Sequence, residues 1–139
     1  MAKGFNPKGM WGPKARGFSM GVVQHAGQII HFTGQVAWDE DEMIVGRGDV
    51  EAQTRQCFRN ILNVLNSVGG KIEDIVSITT YFTDRSQLAA IQKVRSEFLN
   101  NENAPVSTSV MVAGLGHEDF LVELTPVAVV PDARFIQPE

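Results

Sequence analysis

An isolated carboxylate, Glu123, interrupts the apolar run Leu121-Val122-Glu123-Leu124, and a hydroxyl, Ser107, sits in the stretch from Ala104-Pro105 to Val112. A carboxylate can exchange a proton with water, whereas a serine hydroxyl can hydrogen-bond a ligand without balancing its charge. Each also has a plainer reading, because strand carboxylates are commonly solvated and small polar residues often only fill space. Cys57 falls on the apolar face of an expected helix, which favours a buried structural thiol over a nucleophile. His25, His31 and His117 show no recognised metal-ligand spacing, so no metal site is expected. The acidic run Asp39 to Glu42 lacks the glycine and distal glutamate of a calcium loop. Gly114 and Gly116 follow a strand without the lysine or helix start of a phosphate loop. Ser107 and Ser109 lack the flanking glycines of a hydrolase elbow. Trp11 and Trp38 read as packing or loop-anchoring residues.

The elements that must position these groups follow from apolar periodicity. Gly21 to His25 and Gln28 to Thr33 carry β-branched and apolar residues around Ala26-Gly27, which predicts a hairpin. Asp49 can cap a helix running to about Val68, with Cys57, Phe58, Ile61, Leu62, Leu65 and Val68 on one face and Gly69-Gly70 as its stop. Ile75 to Phe82 predicts a strand, with Val76, Ile78, Thr80 and Phe82 on one side and Ile75, Ser77, Thr79 and Tyr81 on the other. Asp84 caps a second helix ending near Leu99, whose stripe is Leu88, Ile91, Val94 and Phe98; Asn100 to Asn103 form a polar break. Strands over 107–112 and 121–130 complete an α+β layer with both helices on one sheet face and the other face in need of cover. Residues 1–18 read as an irregular arm and 131–139 as a tail, so that 1–139 forms a single domain.

The 139 residues carry a formal net charge of −4, and 43% are hydrophobic. That balance argues against a general nucleic-acid or anionic-membrane binder, which needs basic surface. Lys3, Lys8, Lys14 and Arg16 form the only locally basic stretch and read as a solvated arm. A lone cysteine suits a reducing compartment, and the expectation is a cytoplasmic protein.

The ordered segments Gly34-Gln35, Ile44-Val45-Gly46, Glu51-Ala52-Gln53-Thr54-Arg55-Gln56, Thr79-Thr80-Tyr81-Phe82-Thr83-Asp84, Pro105 to Val112 and Leu121-Val122-Glu123 resemble the Rid/YjgF family of enamine and imine deaminases. The resemblance covers about residues 15 to 130. It implies a chorismate-mutase-like α+β fold assembled as a homotrimer, with ligand pockets between subunits and no cofactor. It further implies a small-molecule ligand (an imine, an enamine or a keto acid); the acidic composition argues against a nucleic-acid partner, and the lack of a long apolar span against a membrane one.

By the same resemblance, Glu123 matches the glutamate that orients the attacking water and returns its proton to the departing amine. Ser107 stands where the family's deaminases place a substrate-binding arginine, so the two-pronged carboxylate contact is missing. Phe18 falls at a tyrosine position, Thr33 and Gly34 at a Ser-Gly position, and Gln92 at an asparagine position. Thr125 replaces a second acidic residue, and Pro126 removes a backbone donor from the same strand. Arg16 is the candidate to supply the missing cation. The implied activity is hydrolysis of a reactive enamine or imine. The alternatives are a noncatalytic metabolite-binding or regulatory trimer, an enzyme for a less acidic substrate, and, with least support, an endoribonuclease or translation inhibitor.

Overall fold

Eighteen residues of steady helical patterning open the folded core, and the computed structural model, which describes residues 2–100 and 102–139, builds them into α1, Val50–Ser67. Asp49 caps it by accepting a bond from the Ala52 amide at 3.1 Å, and Gly69, at φ +74°, turns the chain away as only glycine readily does. Before α1 lie β1 (Lys3–Phe5), β2 (Gly21–Val23) and β3 (Gln28–His31). After it come β4 (Ile75–Phe82), α2 (Leu88–Phe98), β5 (Val106–Met111) and β6 (Val122–Val130). Asp84 caps a short 3-10 turn, Arg85–Gln87, that leads into α2. Met1 and Asn101, the latter within the expected polar break, lie outside the described residues.

The main sheet has the order β3-β6-β4-β5, with β4 and β5 parallel and the other neighbours antiparallel. Both helices cover one face: Cys57, Phe58, Ile61 and Leu65 of α1 and Ile91 and Val94 of α2 join Ile78, Phe82, Val122, Leu124 and Ala128 of the sheet in one buried cluster. Phe58 and Phe98 stack at 4.4 Å and tie the two helices together. None of the described helices is long and apolar enough to cross a membrane.

Three local expectations change. The residues expected to pair as a hairpin do not meet, since β2 pairs with β1 and β3 pairs with β6. Four positions of β3 thereby join the main sheet, and Gly27 lies so close to Val130 that a Cβ there would stand 2.5 Å from its carbonyl oxygen. Residues 1–18 are not wholly irregular, because β1 lies within them. A bulge at Val76 reverses the alternation at the start of β4, so that Ile75 joins the helix-side cluster while Val76 packs with Ala2 and Val129 on the opposite face.

Pro126 lies in the interior strand β6, where a missing N–H is usually costly. Leu124 exchanges both backbone bonds with Gln35, so the Pro126 nitrogen, two residues on, points to the same side. There the chain has already left β6, between the His31–Val127 pair and the Gln35–Leu124 bridge. Proline thus stands where no partner is needed, and the diverging loop holds Thr33 and Gly34.

Candidate functional site

Glu123 lies opposite Tyr81 and shares its sheet face, turned away from the helices. Its carboxylate rests against the backbone of Gly34, where an added Cβ would come within 2.5 Å of Oε2 and 3.1 Å of the Thr125 hydroxyl. Only glycine leaves this room without displacing the carboxylate. Gln35 donates to the Thr33 carbonyl at 3.0 Å, and Asn60 of α1 donates to the carbonyls of Val36 and Trp38 at 3.0 and 2.9 Å, holding the chain just beyond the loop. Buried Gln53 anchors the other side: it accepts from the Leu121 amide at 2.9 Å and donates to the Asp119 carbonyl at 2.9 Å. Gln53 and Asn60 therefore set the approach of both segments that frame Glu123. Sequence reading placed Gln53 and Asn60 on a helix without a role, since a helical amide gives no sign of which loop it will meet.

Ser107 lies opposite Ile78, a core residue, and so faces the helices. Within one chain Ser107 and Glu123 consequently project from opposite faces of the sheet. Ser107 instead meets a cation that the sequence reading missed. Arg95, 2% exposed, donates from Nη1 to Ser107 Oγ at 3.1 Å and from Nη2 to the Arg16 carbonyl at 3.3 Å. Its guanidinium carbon also lies 5.9 Å from the centroid of the Phe18 ring. Arg95 follows Val94 on the buried stripe, where a long charged side chain would ordinarily turn to water. Burial, followed by the nearby charge of Arg16, pushes its pKa down.

Arg16 donates from its own guanidinium to Gly12 O and Pro13 O, both at 2.9 Å, and lies over the rings of Phe18 at 5.5 Å and Trp11 at 5.9 Å. It is thus part of a folded arm, not extended into solvent. Gln92 is half-buried one turn before Arg95, and its carbonyl accepts from Ser96 at 3.0 Å. The candidate residues accordingly divide into two groups. Arg16, Phe18, Gln92 and Ser107 lie on the side of the arm and α2, whereas Thr33, Gly34 and Glu123 belong to the loop and face beside β6.

A cavity of about 380 Å³ lies between the arm and the end of α2, lined by Ala15, Gly17, Phe18, Ser96, Leu99 and Glu102 among others. A second, about 300 Å³, is lined by Gln35, Trp38, Asp39, Glu40, Asn60 and Asn63. Neither includes Glu123 or Ser107 in its lining. Cys57 is buried, and burial together with the charge of Glu123 pushes its thiol well up, which suits a core residue. No group of three or more metal-ligating side chains occurs among the described residues.

Comparison with known proteins places this arrangement. The family described as Endoribonuclease L-PSP matches residues 13–130. A RutC family protein of Synechocystis is 35% identical over 107 residues, covering 76% of this chain and 82% of the relative. One from Pyrococcus horikoshii is 30% identical over 103 residues, covering 74% and 80%. Among solved structures, a Rid-family protein of unknown function from Yersinia pestis superposes with a TM-score of 0.87 at 30% identity, over 93% of this chain and 98% of that one. RidA from an Antarctic Psychrobacter gives 0.68 at 28% identity, over 77% and 85%. The order of elements, the loop at Gly34 and the strand bearing Glu123 therefore have a common source: the chain belongs to the Rid/YjgF family, that of Endoribonuclease L-PSP.

Proposed function

We propose that this protein binds a small metabolite at the interfaces of a homotrimer and hydrolyses a reactive enamine or imine there, with Glu123 as the general base. The observation that carries this reading is the seating of the Glu123 carboxylate against Gly34, on the sheet face that the helices leave open. In the imine form of the reaction, a C–O bond forms as water adds to the carbon of the C=N group. Glu123 takes one proton from that water, and the nitrogen takes one from solvent. Collapse of the adduct breaks the C–N bond as Glu123 returns its proton to the departing nitrogen and the hydroxyl proton leaves to solvent, yielding a carbonyl and ammonia. Thr33 and Gly34 shape the wall beside the carboxylate.

The opposite orientations of Ser107 and Glu123 support a pocket built from two copies. Strand β5 is an edge strand, so Ser107 of one copy can approach the Glu123 face of the next. A noncatalytic metabolite-binding trimer is the second reading, favoured by a neutral hydroxyl at the position of the family's substrate-binding arginine. The net charge of −4 gives an endoribonuclease reading little support.

The test generates 2-imino acids with an amino-acid oxidase and follows their loss with the wild-type protein and Glu123→Gln. Turnover by the wild type that falls about 10²- to 10⁴-fold in Glu123→Gln is the expected outcome. Absence of turnover with retained binding of 2-oxo acids selects the noncatalytic reading.

A further inference from the structure

Two arginines of this chain show contrasting states of the same group. Arg55 meets Glu97 through the side-on fork of its guanidinium, with Nε and Nη2 each bonded to the carboxylate, the shortest contact being 2.9 Å. In Arg95 the Nη1 corner is taken by Ser107, but the same side-on fork is nearly empty. Its Nε is buried without any partner, and its Nη2 has only the 3.3 Å bond to the Arg16 carbonyl. Among the described residues Arg95 is the only buried cation and forms no ion pair. Glu102 lines the cavity at the end of α2 and makes no ion pair with Arg95. The nearest charge with an effect on Arg95 is a second cation, Arg16. A guanidinium buried in that state loses its hydration without gaining a counter-charge.

The covering segment is itself under constraint. Lys14 and Ala15 have φ values of +47° and +63°, a region that side-chain-bearing residues seldom occupy without compensation. This segment forms one wall of the 380 Å³ cavity, whose lining reaches Ser96 but not Arg95 itself, and its Arg16 carbonyl is the contact a ligand must replace.

We propose that Arg95, braced by Ser107 and covered by the segment 12–18, is the anion site of this chain and takes a small monocarboxylate through its Nε–Nη2 edge. The carboxylate displaces the Arg16 carbonyl, supplies the two acceptors that the fork lacks, and lies between two cations that otherwise repel. A planar fork matched to two coplanar oxygens favours a carboxylate over a spherical anion. The cation that the sequence lacks at position 107 is then delivered to the Ser107 hydroxyl from α2, across the sheet–helix boundary. This inference rests on the proposed metabolite-binding role for its ligand type, but it concerns binding and is measured apart from turnover.

Calorimetric titration of the full chain with 2-oxobutanoate and with its neutral amide tests it, using the wild type, Arg95→Gln and Arg95→Lys. The wild type is expected to prefer the acid. Arg95→Gln should lose about ten- to a hundredfold in affinity for the acid and its preference over the amide, with Arg95→Lys recovering part of both. Thermal melts separate this from a bracing role: a merely structural Arg95 lowers the melting temperature on substitution while the acid-over-amide preference stays. Should Arg95→Gln fail to fold, Arg95→Lys decides alone, since an ammonium keeps the charge but lacks the fork and must weaken acid binding. Equal binding of acid and amide by the wild type, no binding of the acid at millimolar concentration, or affinity unchanged in the Arg95 variants overturns the proposal. Arg95-dependent acid binding without imine turnover upholds this site and discards the hydrolase; Glu123-dependent turnover indifferent to Arg95 does the reverse.

Discussion

At Gly34 a single missing carbon decides where a carboxylate can rest. Glu123 Oε2 and Cδ crowd the position a Cβ would take, and the glycine carries no positive φ, so an alanine there meets the side chain without straining the backbone. Gly34→Ala is therefore expected to fold normally and to push Glu123 aside. A displacement of about 1 Å in a reacting group costs on the order of a hundredfold in rate. Imine turnover in Gly34→Ala, measured beside an unchanged thermal melt, checks this; turnover equal to wild type would mean that the carboxylate's seat has no catalytic part. Glu123 was legible as a candidate from its resemblance, whereas Arg95 was not. Its helical neighbours Ile91 and Val94 mark the buried stripe, but no pattern in a sequence announces that a charged residue next to them folds inward to meet a strand serine.

The elements themselves were read closely because their signals are local. Asp49, Gly69 and the apolar stripe between them delimit α1, and the capping bond to Ala52 stands where the sequence places it. Asp49→Ala should cost about 1 kcal/mol of stability by leaving first-turn amides without that acceptor. Chemical denaturation can measure this, with a shift of the midpoint expected at unchanged slope. The partners of β2 and β3 were not local information. Alternating apolar residues around Ala26-Gly27 have hairpin character, but the edge of β6 offers β3 four paired positions, and the arm offers β2 a strand of its own. The bulge at Val76 escaped for a similar reason: it satisfies clusters on both faces of the sheet, and only the packed layers show that both exist.

For the whole molecule, the consequential feature is the sheet face away from the helices. Ala2, Val22, Val76, Val127 and Val129 pack together at one end of it, so the arm's small sheet covers that part. Thr79, Tyr81, Glu123 and Thr125 are only half-buried, and Thr108 and Val110 on the edge strand are exposed. If copies close over this area, as proposed, light scattering should give about three times the mass of one chain. Val110→Lys, which places a charge at a position 39% exposed in the isolated chain, should shift that mass towards the monomer and reduce imine turnover with it. A monomeric wild type at working concentration would remove the shared pocket.

The sequence by itself determined the two helices, the long strands, their α+β layering and the family to which they belong, because caps, glycine stops and apolar periodicity act over a few residues. The tertiary structure decided what no short window contains: that Ser107 and Glu123 face opposite ways, that Pro126 falls in a gap between partners, and that Arg95 from a helix stands beside Ser107. Each of these depends on which distant backbone lies alongside, and side-chain direction in a sheet reverses with a shift of a single residue.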